Sequence, residues 1–450
     1  MKNQTHPDGL PWRSAILWLL LAGPAFFLFY GNANQYATSL PPEQVGNIVF
    51  AWERDTIPFW PWSIVPYWSI DLMFGFSLLL CADQREVRTQ ALRLMLATLL
   101  SSICFVLWPL RFGWDRPAVD GLFGAMFAAL GQIDQPFNQA PSLHISLLVI
   151  IWLRFAAYLT HPLARGVLHL WCTLIGISVL TTWQHHFIDI PTGFAMGLLV
   201  CYLLPMPPLV WCSAREWRAG LIALQRQKSR QLALRYGAGA AFFAVVVLSL
   251  QGWAWLLAWP AVALAIVAAA YGGLGPVALQ KIGGETSFAV RWLTAPYRLG
   301  AALSRWYFLR QVPPAVEVAE GVWLGASTAA GDPRFAAVLD LCAEIPRQVH
   351  PAAAYINLPR LDLLPPNADE IAQGVAAIES LRDRTTGPLL VHCALGFSRS
   401  ATVIAAWLVQ TGRASDIAAA IAHLRQLRAV HLNASQIEWA GQGASRGNCE

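Results

Sequence analysis

The stretch "LLVHCALGFSRSA", residues 389–401, gathers a thiol, a glycine, a guanidinium and two hydroxyls within eight positions. An apolar run ends at His392, a turn follows, and a helix is predicted to start near Arg399. Cys393 and Arg399 bracket five residues. A loop wrapped in front of a helix N-terminus aims backbone N–H groups and the positive end of the helix dipole at one point. That field favours a thiolate nucleophile and the anion it attacks. Arg399 offers a planar fork for two phosphate oxygens. Gly396 and Ser398 lie in the phosphate-binding loop, and Ser400 is placed to hydrogen-bond the thiolate and help it leave. Upstream, "NLPRLDLLPP" (357–366) puts Asp362 thirty-one residues ahead of Cys393. Asp369 and Glu370 are nearby but open a helix, where they complement its dipole.

A second set of polar residues lies in apolar surroundings: "RFGWDRP" (111–117), "PSLH" (141–144) and "HHFID" (185–189). His185 and Asp189 are four apart, so on a helical turn they share a face. Asp189 then accepts from one ring N–H and turns the other nitrogen outward as a nucleophile. His144, at a helix start, is placed to protonate the leaving oxygen. Arg111 and Arg116 are cations for a phosphate, and Ser142 adds a donor. Two histidines and an aspartate also suit a metal, but the arginine pair and the serine favour phosphate over a cation. His186 competes with His185 for the reactive role, and spacing to Asp189 favours His185. Ionisable residues at membrane depth are costly and are functional candidates by default.

The elements that must position these residues differ in kind. Hydrophobic residues make up 56% of the 450 and charged residues 13%, with mean hydropathy +0.46; a soluble domain carries about 25% charged residues. The chain is read as an integral membrane protein. Candidate spans are 14–32, 63–81, 91–110, 143–160, 166–183, 187–206, 234–252 and 254–272, about eight in all. Arg85, Arg88, Arg93, Arg154, Arg165 and the basic run 215–235 fall on one side by alternation, with Lys281, Arg291, Arg298, Arg305 and Arg310 after the last span. The opposite loops carry only Arg54, Arg111 and Arg116. The positive-inside rule then puts both termini in the cytoplasm and the histidine cluster at the outer face.

Residues 1–312 carry 21 Lys and Arg against 13 Asp and Glu, net +8, whereas 313–450 carry 10 against 13, net −3. The basic excess belongs to the membrane half, which gives no support to a nucleic-acid partner. Eight cysteines are scattered with no Cys-x-x-Cys pair, so neither a zinc site nor a disulfide framework is indicated; Cys342 and Cys449 are taken as ordinary residues. The membrane domain is assigned to 1–275. Residues 276–312 mix Trp, Phe, Tyr and Leu with Arg, as in an amphipathic interfacial linker formed by one helix lying on the inner leaflet, with a solvated linker as the equal alternative. From 313 to 450, β-branched runs at 316–318, 322–324, 337–339 and 389–391 alternate with helical stretches at 368–382, 400–410 and 415–427, which argues a soluble α/β domain, placed in the cytoplasm by the charge rule above.

The strand–loop–helix at 389–401 resembles the signature of the dual-specificity branch of the protein tyrosine phosphatase superfamily, with "EGVWLG" and "AVLDLCAE" matching its early strands over about 313–435. The resemblance implies Cys393 as nucleophile through a phosphocysteine, Arg399 as phosphate ligand and Asp362 as general acid. The variable loop positions carry no Lys or Arg, which disfavours highly charged polyphosphoinositides. The other clusters, with "IPFWPWSIVPYWS" (57–69) and "NQAPSLHIS" (138–146), resemble the type 2 phosphatidic acid phosphatase family, in particular its inositol phosphoceramide synthase-like branch, over about 55–210. That resemblance implies His185 as nucleophile, Asp189 as its partner and His144 as acid. Pro109 stands where the phosphatase version has Lys, and no Arg accompanies Val179, a thinner anion cradle that fits the transferase-like branch. The whole resembles bacterial inner-membrane proteins that fuse the two domains. It implies a phosphatase without metal or other cofactor, acting on a phosphorylated lipid or a phosphoprotein, with membrane lipids as partners. The rival reading is a non-catalytic lipid-binding anchor or sensor that regulates the inner phosphatase. A transporter is disfavoured, because the polar residues gather at one face and form no path across.

Overall fold

A computed structural model describes residues 11–432 apart from 207–208, 210–213 and 251, together with 436–438, 440 and 442. Cys449 lies outside the described residues. The chain divides into two compact units, 1–209 and 210–450.

The first unit is helical. Five helical stretches of the described chain are long and apolar enough to cross a membrane, three of them here: Trp12–Ser39, Gln84–Leu107 and Pro162–Thr181. The expected spans at 63–81, 143–160 and 187–206 are the shorter helices Ile64–Leu79, Leu143–Tyr158 and Asp189–Leu203. A 15-residue helix is about 22 Å long at 1.5 Å per residue, against a hydrocarbon core of about 30 Å. A further apolar helix, Gly121–Ile133, was not anticipated, because its 13 residues fall below any bilayer-length window. Two cations counted among the basic loops, Arg93 and Arg154, are instead helical and buried. Arg93 donates to the Leu204 carbonyl at 2.7 Å, and Arg154 pairs with Glu86 at 2.5 Å.

Helix Asp189–Leu203 lies unusually close to Leu143–Tyr158. A Cβ at Gly193 would come within 2.6 Å of the Ser142 carbonyl oxygen, and one at Gly197 within 2.7 Å of that of Ser146. Small residues four apart let two apolar helices touch backbone to backbone. Here that approach carries the start of one helix, with Ser142, up to the start of the other, with Asp189.

In the second unit, Ala223–Ser249 and the stretch Ala254–Leu279 form an apolar helical hairpin. The linker is not one interfacial helix. A short β-ribbon pairs Lys281–Ile282 with Glu285–Thr286, and Thr294 separates the helices Phe288–Leu293 and Ala295–Leu309. The second of these leaves Leu299, Leu303 and Trp306 exposed along one side, as an amphipathic helix does.

A five-stranded sheet follows, in the order Ala315–Ala319, Val322–Ala326, Leu389–Cys393, Ala337–Cys342, Ala354–Arg360. Only the first pair is antiparallel. All four expected strands and all three expected helices are present, the helices as Ala368–Arg384, Arg399–Gln410 and Ile417–Leu427. The sequence missed the edge strand Ala354–Arg360. It is half-buried throughout and contains Pro359, which only an edge tolerates. The central strand Leu389–Cys393 is fully buried between two parallel neighbours and delivers Cys393 to the carboxyl end of the sheet.

Candidate active site

The loop 394–398 joins that strand to helix Arg399–Gln410. Gly396 has φ +77°, and a Cβ on it would lie 2.6 Å from the Gly325 carbonyl oxygen, so the turn requires glycine. The turn aims the Gly396 N–H at the Cys393 Sγ, 3.3 Å away, while the Ser400 hydroxyl donates to the same sulfur at 3.4 Å. Two donors at the mouth of a helix N-terminus are what a thiolate nucleophile needs. Cys393 is 3% exposed and Ser400 is buried.

Arg399 is held on every side. Its Nη1 donates to the carbonyls of Arg360 (2.7 Å) and Leu341 (3.2 Å), and its Nη2 to Glu344 Oε1 (2.7 Å) and Asp362 Oδ1 (2.8 Å). Burial alone would lower its pKa, but the Glu344 and Asp362 carboxylates overcome this and hold it well above its ordinary value. The expected acid therefore does reach the thiol loop. In this state, though, the arginine fork faces carboxylates, and Asp362 must give way for Nη2 to take a phosphate oxygen.

The Ser398 hydroxyl accepts from Gln436 Nε2 at 2.7 Å. Two functional residues escaped sequence reasoning. Glu344 follows the buried strand Ala337–Cys342 and grips Arg399 across 55 residues. Arg428 ties the back of the loop, donating to the carbonyls of Leu395 (2.8 Å), Pro313 (2.6 Å) and Pro314 (2.9 Å). Burial lowers its pKa to about 10, against the pull of Cys393.

Behind the nucleophile lies a buried polar group. Lys281 Nζ donates to Asp340 Oδ2 at 2.6 Å and to the Cys342 carbonyl at 2.8 Å, and Tyr355 donates to the same carboxylate at 2.7 Å. His392 Nε2 is 3.8 Å from Asp340 Oδ1. Burial opposes ionisation of Asp340, yet His392 and Lys281 outweigh it and hold the carboxyl below its ordinary range. Burial also lowers the His392 pKa, which Asp340 offsets only in part. Asp340, Cys342 and His392 offer atoms within 4.8 Å of one another, a metal-like spacing. The Lys281 ammonium already neutralises the carboxylate, however, and burial pushes the Cys342 thiol well up toward its protonated form, as for an ordinary core cysteine.

The histidine cluster also assembles, within the first unit. His185 Nδ1 is 2.9 Å from Asp189 Oδ2, and His185 Nε2 is 3.3 Å from Ser142 Oγ. The contact forms in the turn ahead of helix Asp189–Leu203, not along a helix face. Asp189 also accepts from Ala140 N (2.7 Å) and His186 N (3.3 Å). These partners assign the proton to Nδ1 and leave the Nε2 lone pair toward Ser142. His186 has a structural role. Its Nδ1 meets Glu53 at 2.8 Å, its Nε2 accepts from Gly113 N at 3.0 Å, and its ring stacks on Phe112. The sequence gave no sign of Glu53.

His144 stacks on Tyr67 with ring centres 4.1 Å apart, and its Nε2 has no hydrogen-bond partner among the described residues. Tyr67, Tyr30 and Asn138 all donate to Asp134, a polar network the sequence left unnoticed. Arg116 reaches Gln184 at 3.5 Å and lies over Phe127. Arg111 is exposed, and among the described residues no contact joins its guanidinium to His185. The structure thus brings Ser142, His185 and Asp189 together, leaves Arg116 one residue away through Gln184, and leaves Arg111 apart.

Residues 323–440 match the family described as dual specificity phosphatase, catalytic domain. Similar solved structures include Tk-PTP in its active form, 24% identical over 30% of this chain and 98% of that one, TM-score 0.27. Human DUSP28 is 23% identical over 30% and 97%, TM-score 0.27. A mouse putative dual specificity phosphatase complexed with zinc tungstate is 24% identical over 30% and 91%, TM-score 0.26. No curated protein matches the chain. The C-terminal part of the chain carries a dual-specificity phosphatase domain, a phosphoric monoester hydrolase fold built for cysteine-dependent chemistry.

Proposed function

We propose that the chain is a membrane-bound phosphatase of a bacterial inner membrane, with both termini cytoplasmic. Its C-terminal domain hydrolyses phosphomonoesters through a phosphocysteine on Cys393. The observation that carries this reading is the convergence of the Gly396 N–H and the Ser400 hydroxyl on the Cys393 sulfur, beside Arg399. In the first step sulfur attacks phosphorus, Arg399 and the loop N–H groups hold the equatorial oxygens, and Asp362 protonates the leaving oxygen. Water, activated by Asp362, then releases phosphate. A catalytic domain tethered at a bilayer meets lipid headgroups at high effective concentration. Lipid phosphomonoesters are therefore the first substrate class and phosphoproteins the second.

For the membrane half, the Ser142–His185–Asp189 relay supports a histidine-dependent lipid phosphatase or phosphotransferase at the outer face, acting through a phosphohistidine. The rival reading, a lipid-binding anchor or sensor, is favoured by the isolation of Arg111 and the thin anion cradle. Phosphate release by purified protein in detergent from phosphatidic acid, phosphatidylglycerophosphate, a polyprenyl diphosphate and a phosphotyrosine peptide separates these readings. Lipid hydrolysis that survives Cys393→Ser and disappears with His185→Ala gives the membrane half its own activity. Complete loss with Cys393→Ser leaves it an anchor, or a transferase lacking its acceptor.

A further inference from the structure

The loop 361–366 carries Asp362, and two polar side chains of the helical hairpin hold its backbone. The Tyr271 hydroxyl donates to the Asp362 carbonyl oxygen at 2.7 Å. Gln225, in the first turn of Ala223–Ser249, donates through Nε2 to the Pro365 carbonyl at 2.9 Å and to Glu370 at 3.1 Å. Between these ties, Leu361 and Leu364 are buried with Leu232, Val267 and Tyr271. Tyr271, 3% exposed, stacks on Tyr236 with centres 5.7 Å apart, and Tyr236 meets Tyr297 edge-on at 5.9 Å. At the apex, Leu363 has φ +60° and is 51% exposed. A leucine holds that conformation only where its surroundings over-determine it. Loops that carry catalytic groups are ordinarily free at the surface, whereas this one is tied at both ends by residues that lie outside the matched phosphatase domain.

We propose that the base of the hairpin is a working part of the phosphatase, with Tyr271 as the positioning residue for the general acid Asp362 and Gln225 holding the far end of the same loop. The proposal rests on the reading of Cys393 as nucleophile and Asp362 as acid. As the S–P bond forms and the P–O bond breaks, the Asp362 proton passes to the departing oxygen. That transfer requires the carboxyl within hydrogen-bond reach of the oxygen, and the loop backbone sets that reach.

Leaving-group dependence isolates this step, because a strongly acidic leaving group departs without a proton. Full-length protein carrying His185→Ala, so that the membrane half contributes no hydrolysis, is assayed in detergent for kcat/KM on 2,4-dinitrophenyl phosphate and on a short-chain phosphatidic acid, alone and with Tyr271→Phe, Gln225→Ala, Asp362→Asn and Cys393→Ser. Tyr271→Phe keeps the packed ring and removes only the donor. It is expected to cost the alkyl phosphate about tenfold or more and the aryl phosphate under about twofold, a share of the ~10²–10⁴ that general acid catalysis supplies. Gln225→Ala is expected to move the same ratio in the same direction. Tyr271→Phe added to Asp362→Asn is expected to cause no further loss. Equal losses on both substrates, or additive losses in the double variant, overturn the proposal and reduce Tyr271 to packing. Activity that persists in Cys393→Ser, or an Asp362→Asn variant indifferent to the leaving group, overturns the underlying assignment instead.

Discussion

Asp362 Oδ1 lies 2.8 Å from Arg399 Nη2, so the proposed acid and the proposed phosphate-binding cation are paired with each other. An oxyanion entering the loop must displace a carboxylate. Asp362→Asn is therefore expected to bind inorganic phosphate at least as tightly as the parent while losing turnover on alkyl phosphates by about 10²–10⁴. Inhibition constants and kcat/KM on the same preparation check both halves; weaker phosphate binding in Asp362→Asn defeats the explanation.

Glu344 contacts both terminal nitrogens of Arg399, at 2.7 and 3.3 Å. Glu344→Gln removes the charge that orients the fork and is expected to lower kcat/KM by about 10² through misplacement. Arg399→Lys is expected to lose more, since an ammonium cannot bind bidentately. A Glu344→Gln enzyme at parental kcat/KM rejects an orienting role.

The Lys281–Asp340–His392 group makes the second unit acid-sensitive. His392 has a depressed pKa when folded, so the unfolded chain takes up its proton first and stability begins to fall below about pH 6.5, the ordinary histidine value. Asp340 is also depressed, and its contribution, complete above about pH 4, disappears as pH falls through its lower folded value. Melting temperature against pH is expected to decline in that window, and His392→Gln to flatten its upper part. A His392→Gln profile parallel to the parent contradicts this.

Lys281 and Asp340 are both buried, so Lys281→Met strands a carboxylate and is expected to cost about 3–5 kcal/mol. Adding Asp340→Asn should recover part of that loss. Denaturant unfolding of the two variants tests it.

His185 and His186 are adjacent and similarly buried but should respond differently. His186→Ala opens a space beside Phe112 and leaves the Gly113 N–H unpaired, so a loss of about 2 kcal/mol or more is expected in detergent. His185→Ala leaves Asp189 with two backbone donors and is expected to abolish histidine-dependent turnover with a smaller stability change. Activity in the His185→Ala protein on every lipid tested would leave the membrane half as an anchor.

What the sequence made legible was local. Cys393, Gly396, Arg399 and Ser400 lie within eight positions, so the strand–turn–helix could be read directly, and Asp362 came from the interval that the family resemblance implies. His185 and Asp189 are four residues apart. Glu344, Arg428, Tyr271 and Lys281 act across 33 to 115 residues of chain and leave no local pattern. Helix Gly121–Ile133 was hidden by its length and the strand Ala354–Arg360 by Pro359, which suits an edge and argues against a core strand. Arg93 and Arg154 misled in the other direction: counting charges does not distinguish a solvated loop arginine from one that caps a neighbouring helix inside the bundle, as these do at the Leu204 and Leu80 carbonyls.

Lys281 precedes the matched domain yet supplies the counter-charge at the centre of its sheet. The phosphatase in this chain is therefore not a portable cassette. A graft cut at the Pro313–Pro314 junction would carry an orphaned Asp340 into its new host, whereas one that begins ahead of the hairpin takes its own cation with it. Exchange between such chains should succeed at boundaries upstream of the hairpin and fail at those drawn by family resemblance alone.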